Sequence, residues 1–237
     1  MEKNDFKEKD QMNSTKPILF NTEMVKAILD GRKTQTRRVI PLKNNDLIFT
    51  GFVVSSTAKN REGYCAFGKN KDQDLEFIKP KYKVGDILYV RETWCYGRVF
   101  GDGCEGDEFW LEQLQEHEDN EIIFYKADME YAIKEGVSFD DIVWKPSIHM
   151  PKKYARIFLK VTNVRVERLQ DIRDRDILSE GCNQAIIEKK SNRIEYIFFS
   201  KQIKNWWINL WNSTTKDGYK WEDNPYVFVY EFERIKL

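Results

Sequence analysis

Alternation of apolar and polar positions is the commonest pattern along this chain, and helical spacing is the exception. The first apolar run, KPILF, reads as a short strand. NTEMVKAILDGRKT follows at helical spacing: Asn21 or Thr22 supplies the N-cap, Met24, Val25, Ile28 and Leu29 form one stripe, and Gly31 ends the helix in the left-handed position. KTQTRRVI then alternates as a strand and Pro41 closes it. Residues 42–80 are irregular, with a hairpin expected through LIFTGFVVSS and a second apolar patch at YCAFG. In VGDILYVRETW, Gly85-Asp86 is a turn, and Ile87, Leu88 and Val90 begin a buried strand. Residues 97–121 are mostly acidic and read as a surface excursion, and EIIFYKAD is another strand.

The longest alternating stretch is SIHMPKKYARIFLKVTNVRVERL. Ala155, Ile157, Leu159 and Val161 share one face, and Val164 and Val166 take the other after a bulge near Thr162-Asn163. QDIRDRDILSEGC predicts a short helix capped by Asp171, packed through Ile177 and Leu178 and stopped at Gly181. A second helix over 195–211 carries Trp206, Trp207 and Trp211, of which the last two are i, i+4 neighbours and predict a core stripe. PYVFVYEFERI closes the chain as an alternating strand. Strands dominate and helices do not alternate regularly with them. The pattern therefore predicts an α+β, mostly β fold: a small β-barrel with flanking short helices. Residues 17–237 are expected to form one domain with insertions at about 41–80 and 97–121, and 1–16 a disordered polar tail.

Composition narrows the partners. A formal net charge of +0 argues against sequence-independent coating of DNA, which needs many phosphate contacts, but it leaves room for a local basic patch. With two His, four Cys and no Cys-x-x-Cys pair, the chain offers no zinc ligand set, and no cofactor is expected. Cys65, Cys95, Cys104 and Cys182 read as reduced thiols. No apolar run reaches membrane-span length and the N-terminus lacks a signal-peptide core, so a cytoplasmic protein with no membrane partner is expected.

The segment Gly31-Arg32-Lys33-Thr34-Gln35-Thr36-Arg37-Arg38, a G-x-K-x-x-x-x-R pattern between a helix and a strand, resembles the signature of the ASCH superfamily. The later VGDILYV, ARIFLKVTNVRVERL and YVFVYEFERI strands occur in the order of that domain, so the resemblance runs from residue 17 onward. RETW and WKPSIHMP look most like ASCH proteins carried by phages and prophages. The resemblance implies a PUA-like barrel and a role in RNA or modified-nucleoside metabolism. One branch consists of small amidohydrolases that remove acetyl from N(4)-acetylcytidine with a Lys, a Thr and a Glu. Lys33, Thr36 and Glu180 match those by position, in a chain roughly twice as long.

On their own chemistry these residues admit several roles. A Lys beside a carboxylate can activate a hydroxyl or a water, so Thr36 is a candidate nucleophile, Lys33 its base and Glu180 the group that orients Lys33 or protonates the leaving amine. The same three equally suit a solvated turn and an exposed helix face. Of Arg37 and Arg38, strand alternation lets one enter the barrel mouth to hold a phosphate, while the other makes a surface ion pair. Glu92 and Trp94 share a face by alternation and are candidates to read and stack a base, or else an ion-paired residue and a core residue. His149 between two prolines is a further ligand candidate, with Trp144 and Lys145 beside it. Three functions remain open: a module binding RNA, a nucleoside or a nucleotide; an amidohydrolase acting on an acylated cytidine; and a factor capturing a basic protein partner through the acidic stretch 100–121.

Overall fold

The computed structural model describes residues 15–44, 46–54, 60–69, 75–97, 122–129, 143–183 and 193–236. In chain order the elements are β1 (Lys16–Leu19), α1 (Thr22–Leu29), β2 (Gln35–Val39), β3 (Ile48–Phe52), β4 (Cys65–Gly68), β5 (Glu76–Ile78), β6 (Ile87–Arg91), β7 (Trp94–Gly97) and β8 (Ile122–Tyr125), then β9 (Phe158–Arg168), α2 (Asp174–Ser179), α3 (Arg193–Thr214) and β10 (Tyr226–Ile235). The fold is α+β and mostly β, and its sheets are open rather than closed among the described residues. No helix is long and apolar enough to cross a membrane.

The chain divides into two compact units. The first draws on Met1–Asp30, Ile87–Leu159 and Arg234–Leu237, and the second on Gly31–Asp86 and Lys160–Glu233. In the first, β1 runs parallel to β6, with Ile18 opposite Val90. Lys16, which the sequence reading places in the tail, pairs there with Leu88, and residues 1–14 lie outside the described residues. The α1 N-cap is Asn21, whose side chain accepts from the Met24 N–H at 2.9 Å. β7 and β8 form an antiparallel pair. The core of this unit gathers Trp94, Ile123, Tyr125, Met150, Tyr154, Ala155 and Phe158. The single strand expected through RETW is broken after Arg91, and pairing resumes only at Trp94.

In the second unit β10 lies between β9 and β2. β2 and β10 are antiparallel, with Gln35 opposite Glu231 and Arg37 opposite Val229. The stretch expected to be irregular holds a three-stranded sheet, β3-β4-β5. Of LIFTGFVVSS, the described part forms β3, and its partner is β4, which is the YCAFG patch; Ser55 and Ser56 lie outside the described residues. The main core packs Leu169, Ile172, Ile177, Cys182, Ile203, Trp207, Trp211, Val227 and Val229, which bears out the core reading of the Trp stripe. Trp211 also donates its indole N–H to the Tyr219 carbonyl at 2.7 Å. Asp171 does not cap α2. It sits in a preceding 3₁₀ turn (Leu169–Asp171), and the N-cap is Arg173, whose N–H donates to the Asp176 carboxylate at 3.3 Å.

Candidate functional site

The site grows from two turns of the second unit. Gly31 sits at φ +73° and Gly181 at φ +104°, conformations open to glycine and strained for other residues. They aim the segments that follow α1 and α2 at one another. Lys33 and Glu180 form an isolated antiparallel bridge, and the Thr34 N–H donates to the Ser179 carbonyl at 2.8 Å. Thr34 in turn accepts from the Phe232 N–H at 2.9 Å, which ties the end of α2 to β10.

This backbone frame carries a buried charge cluster. The Lys33 ammonium donates to Glu180 Oε2 at 2.7 Å and to the Glu180 carbonyl at 2.9 Å. Arg37 Nη1 donates to Glu180 Oε1 at 3.0 Å, and its Nη2 to Glu167 Oε2 at 3.0 Å. The Lys33 side chain is fully sealed, and Glu180 is 2% exposed. Burial pushes the Lys33 ammonium below its ordinary pKa, against the upward pull of Glu180, because a charge without water is favoured only as far as its partner compensates. Arg37 Nε and the Trp207 indole N–H have no acceptor among the described residues, and the guanidinium lies 5.8 Å from the Trp207 ring.

The network continues outward. Arg165 donates to Glu167, to Glu231 and, at 3.3 Å, to Gln35, and it lies 3.5 Å from Asp176. Gln35 donates to the Asp176 carbonyl at 2.6 Å. These outer members face an open cleft of about 1040 Å³. Its walls also include Thr34, Thr162, Asp171, Arg173, Arg175 and Ser179. Lys33 and Glu180 are not among its lining residues.

The expected catalytic trio is therefore a pair. Thr36 is buried but makes no side-chain hydrogen bond to Lys33 or Glu180. The reason is strand parity: Gln35 and Arg37 leave β2 toward Asp176 and Glu180, so Thr36 and Arg38 leave on the other face. Arg37 is the inward arginine. Arg38 lies half-buried toward Tyr82 and Tyr230, where burial lowers its pKa and pushes both phenols up to about 12.

The other candidates belong to the first unit. Glu92 is 1% exposed and accepts both Nε and Nη2 of Arg156 at 3.0 Å. Arg156 also donates to Asp128 at 2.6 and 3.1 Å and lies 3.9 Å from the centre of the Tyr125 ring. Burial alone would lower the guanidinium's pKa, but the bonds and charges of Glu92 and Asp128 outweigh it and hold it above its ordinary value. Trp94 packs in the core 5.1 Å from Tyr154, with the Lys145 ammonium 5.0 Å from its ring. These placements match the ion-paired and core readings of Glu92 and Trp94. His149 is exposed at the end of a 3₁₀ turn (Ser147–His149), Trp144 is half-buried, and the acidic stretch 100–121 lies outside the described residues.

Sequence reasoning missed Arg165, Glu167, Asp176 and Glu231. The available signal was parity: Arg165 and Glu167 fall two apart on one strand, so they share a face, and Asp176 stands four before Glu180 on the short helix. Among the described residues no group of three or more His, Cys, Asp or Glu is arranged to hold a metal ion. No family model, no curated protein and no solved structure matches this chain.

Proposed function

We propose that this chain is a nucleotide- or RNA-binding protein of the ASCH type, with a PUA-like barrel as the finer form of its mostly β fold, and that it holds its ligand in the cleft of the second unit. One observation carries the reading. Lys33 of the G-x-K-x-x-x-x-R pattern forms a buried brace with Glu180 and with Arg37, the alternative register for its arginine, and the outer partners of that brace line an open polar cleft. The volume stands at the top of the range for small-molecule sites, roughly 300–1,000 Å³, so it suits a nucleotide with room for the next residue of a strand. The carboxylates of Glu167, Asp176 and Glu231 offer acceptors for the amino groups and hydroxyls of such a ligand. Arg165 is clamped on three sides, so its orientation is set before any ligand arrives.

The test is equilibrium binding of ribonucleosides and short single-stranded RNA, followed by calorimetry and fluorescence anisotropy. Saturable binding is expected, and Thr162→Trp should abolish it, because Thr162 is an exposed wall residue outside the charge network. Absence of binding, or binding unchanged by Thr162→Trp, would sink the reading.

A second reading, amidohydrolysis of an acylated cytidine, draws on the ammonium held below its ordinary pKa beside a carboxylate, the arrangement of a general base. In it Lys33 and Glu180 activate a water that adds to the amide carbon, and the proton goes to the departing amine. Since Lys33 is sealed, this route requires the end of α2 to swing away during turnover. Incubation with N(4)-acetylcytidine separates the two readings: deacetylation lost in Lys33→Met supports hydrolysis. No turnover at high protein concentration leaves binding alone.

A further inference from the structure

Sign of charge is not uniform over the cleft. Arg165, the only cation of its inner wall among the described residues, is engaged by Glu167, Glu231 and Asp176. Lys33 and Arg37 are committed to Glu180 and Glu167. The carboxylates of this part thus outnumber the guanidinium that faces the opening. Arg173 and Arg175 differ. Both line the cleft, both are exposed, and neither side chain has an ion pair with a described residue. Asp176, the nearest carboxylate in sequence that points into the site, is already taken by Arg165 at 3.5 Å and by the Arg173 backbone N–H. Asp171, also exposed and lining the cleft, is among the described lining residues the one acidic group left against two guanidinium groups.

We infer that the cleft selects ligands bearing a phosphomonoester, with Arg173 and Arg175 gripping the phosphate at the rim while the carboxylate wall receives the donor-bearing sugar and base. The inference rests on the binding function proposed above and adds the class of ligand: a nucleoside 5′-phosphate, free or at the 5′ end of an RNA strand. A guanidinium matches phosphate oxygens with two parallel N–H donors, and such charge-assisted bonds are the stronger kind. The opposed wall cannot accept the phosphate, because Glu167 and Glu231 would repel it, so one orientation is enforced. A phosphomonoester carries its second charge above its pKa of about 6, whereas a phosphodiester inside a strand carries one charge only.

Four probes decide the matter against the full chain: cytidine, cytidine 5′-monophosphate, and one six-residue RNA with either a 5′-phosphate or a 5′-hydroxyl. The monophosphate is expected to bind at least tenfold tighter than cytidine, with affinity rising through pH 6 and falling as salt increases. The 5′-phosphate RNA should outbind its 5′-hydroxyl twin if the source is a strand end. A free nucleotide as source is indicated when the monophosphate binds and neither RNA does. Arg173→Gln with Arg175→Gln should abolish the difference in affinity between the monophosphate and cytidine. Equal affinities for cytidine and its monophosphate, or a double variant that keeps the difference, overturn this inference while the binding function stands. If none of the four binds, the binding function itself falls and this inference with it.

Discussion

Glu92 and Glu180 are both almost fully buried carboxylates, and each is held by an arginine. Around Glu92 the stoichiometry is closed. Arg156 has Glu92 on one side and Asp128 on the other, and its flat face rests on Tyr125. Around Glu180 two cations share one carboxylate, a donor of Arg37 is left over, and the compensation is passed outward through Glu167, Arg165 and Glu231 to a cleft. The same chemistry thus serves as a self-contained clamp in one unit and as the sealed end of a network that reaches a cleft in the other. Buried ion pairs do not report function by themselves; one that continues into a cleft names the residues at which the proposed function is to be tested.

The largest test of this contrast is Glu180→Ala. It strands two sealed cations, and a loss of about 3–5 kcal/mol in urea unfolding is expected, as for other broken buried pairs. Glu92→Ala should cost less, about 2–3 kcal/mol on the same assay, because Arg156 keeps Asp128 and is partly exposed. Equal losses would erase the distinction between the two clusters. A pH series sharpens it further. Lys33 has a lowered pKa in the folded state, so the unfolded chain binds more protons between that lowered value and 10.5. Stability should therefore rise with pH across that window, and Lys33→Met should flatten the rise. A slope unchanged in Lys33→Met would show that the ammonium is not its source. The smallest effect is expected from Glu231→Gln on the carboxylate wall of the cleft, where the side chain is 40% exposed. It should change stability by less than about 1 kcal/mol in the same unfolding assay.

Much of this architecture was legible from local signals. Asn21 and Gly31 bracket α1 because an acceptor side chain and a left-handed glycine have few other uses at those spacings. The apolar alternation of Ala155, Ile157, Leu159 and Val161 became four buried positions. What escaped was non-local. The partner of β3 is set by pairing with β4 across a gap in the pattern, which no hairpin signal announces. The break after Arg91 turned an alternation argument about Glu92 and Trp94 into two separate facts. Within the site, Lys33 and Glu180 were matched through the family pattern, and their contact is present. Thr36 was not separable from them until strand parity was fixed by the partners of Gln35 and Arg37. In β9 the apolar alternation points to the core, and nothing in it marks which charged residues face the cleft.

The bridge between Lys33 and Glu180 joins positions 147 apart in the chain. Closing so long a loop is slow compared with forming α1 or a β3-β4 pair, so the ammonium is expected to stay hydrated until late in folding. Contacts that arrive after the rate-limiting barrier act on the reverse reaction: changes at Glu180 should speed unfolding far more than they retard refolding. The bridge would then act as a latch on an almost assembled molecule, setting how long the native state lasts rather than how quickly it is reached.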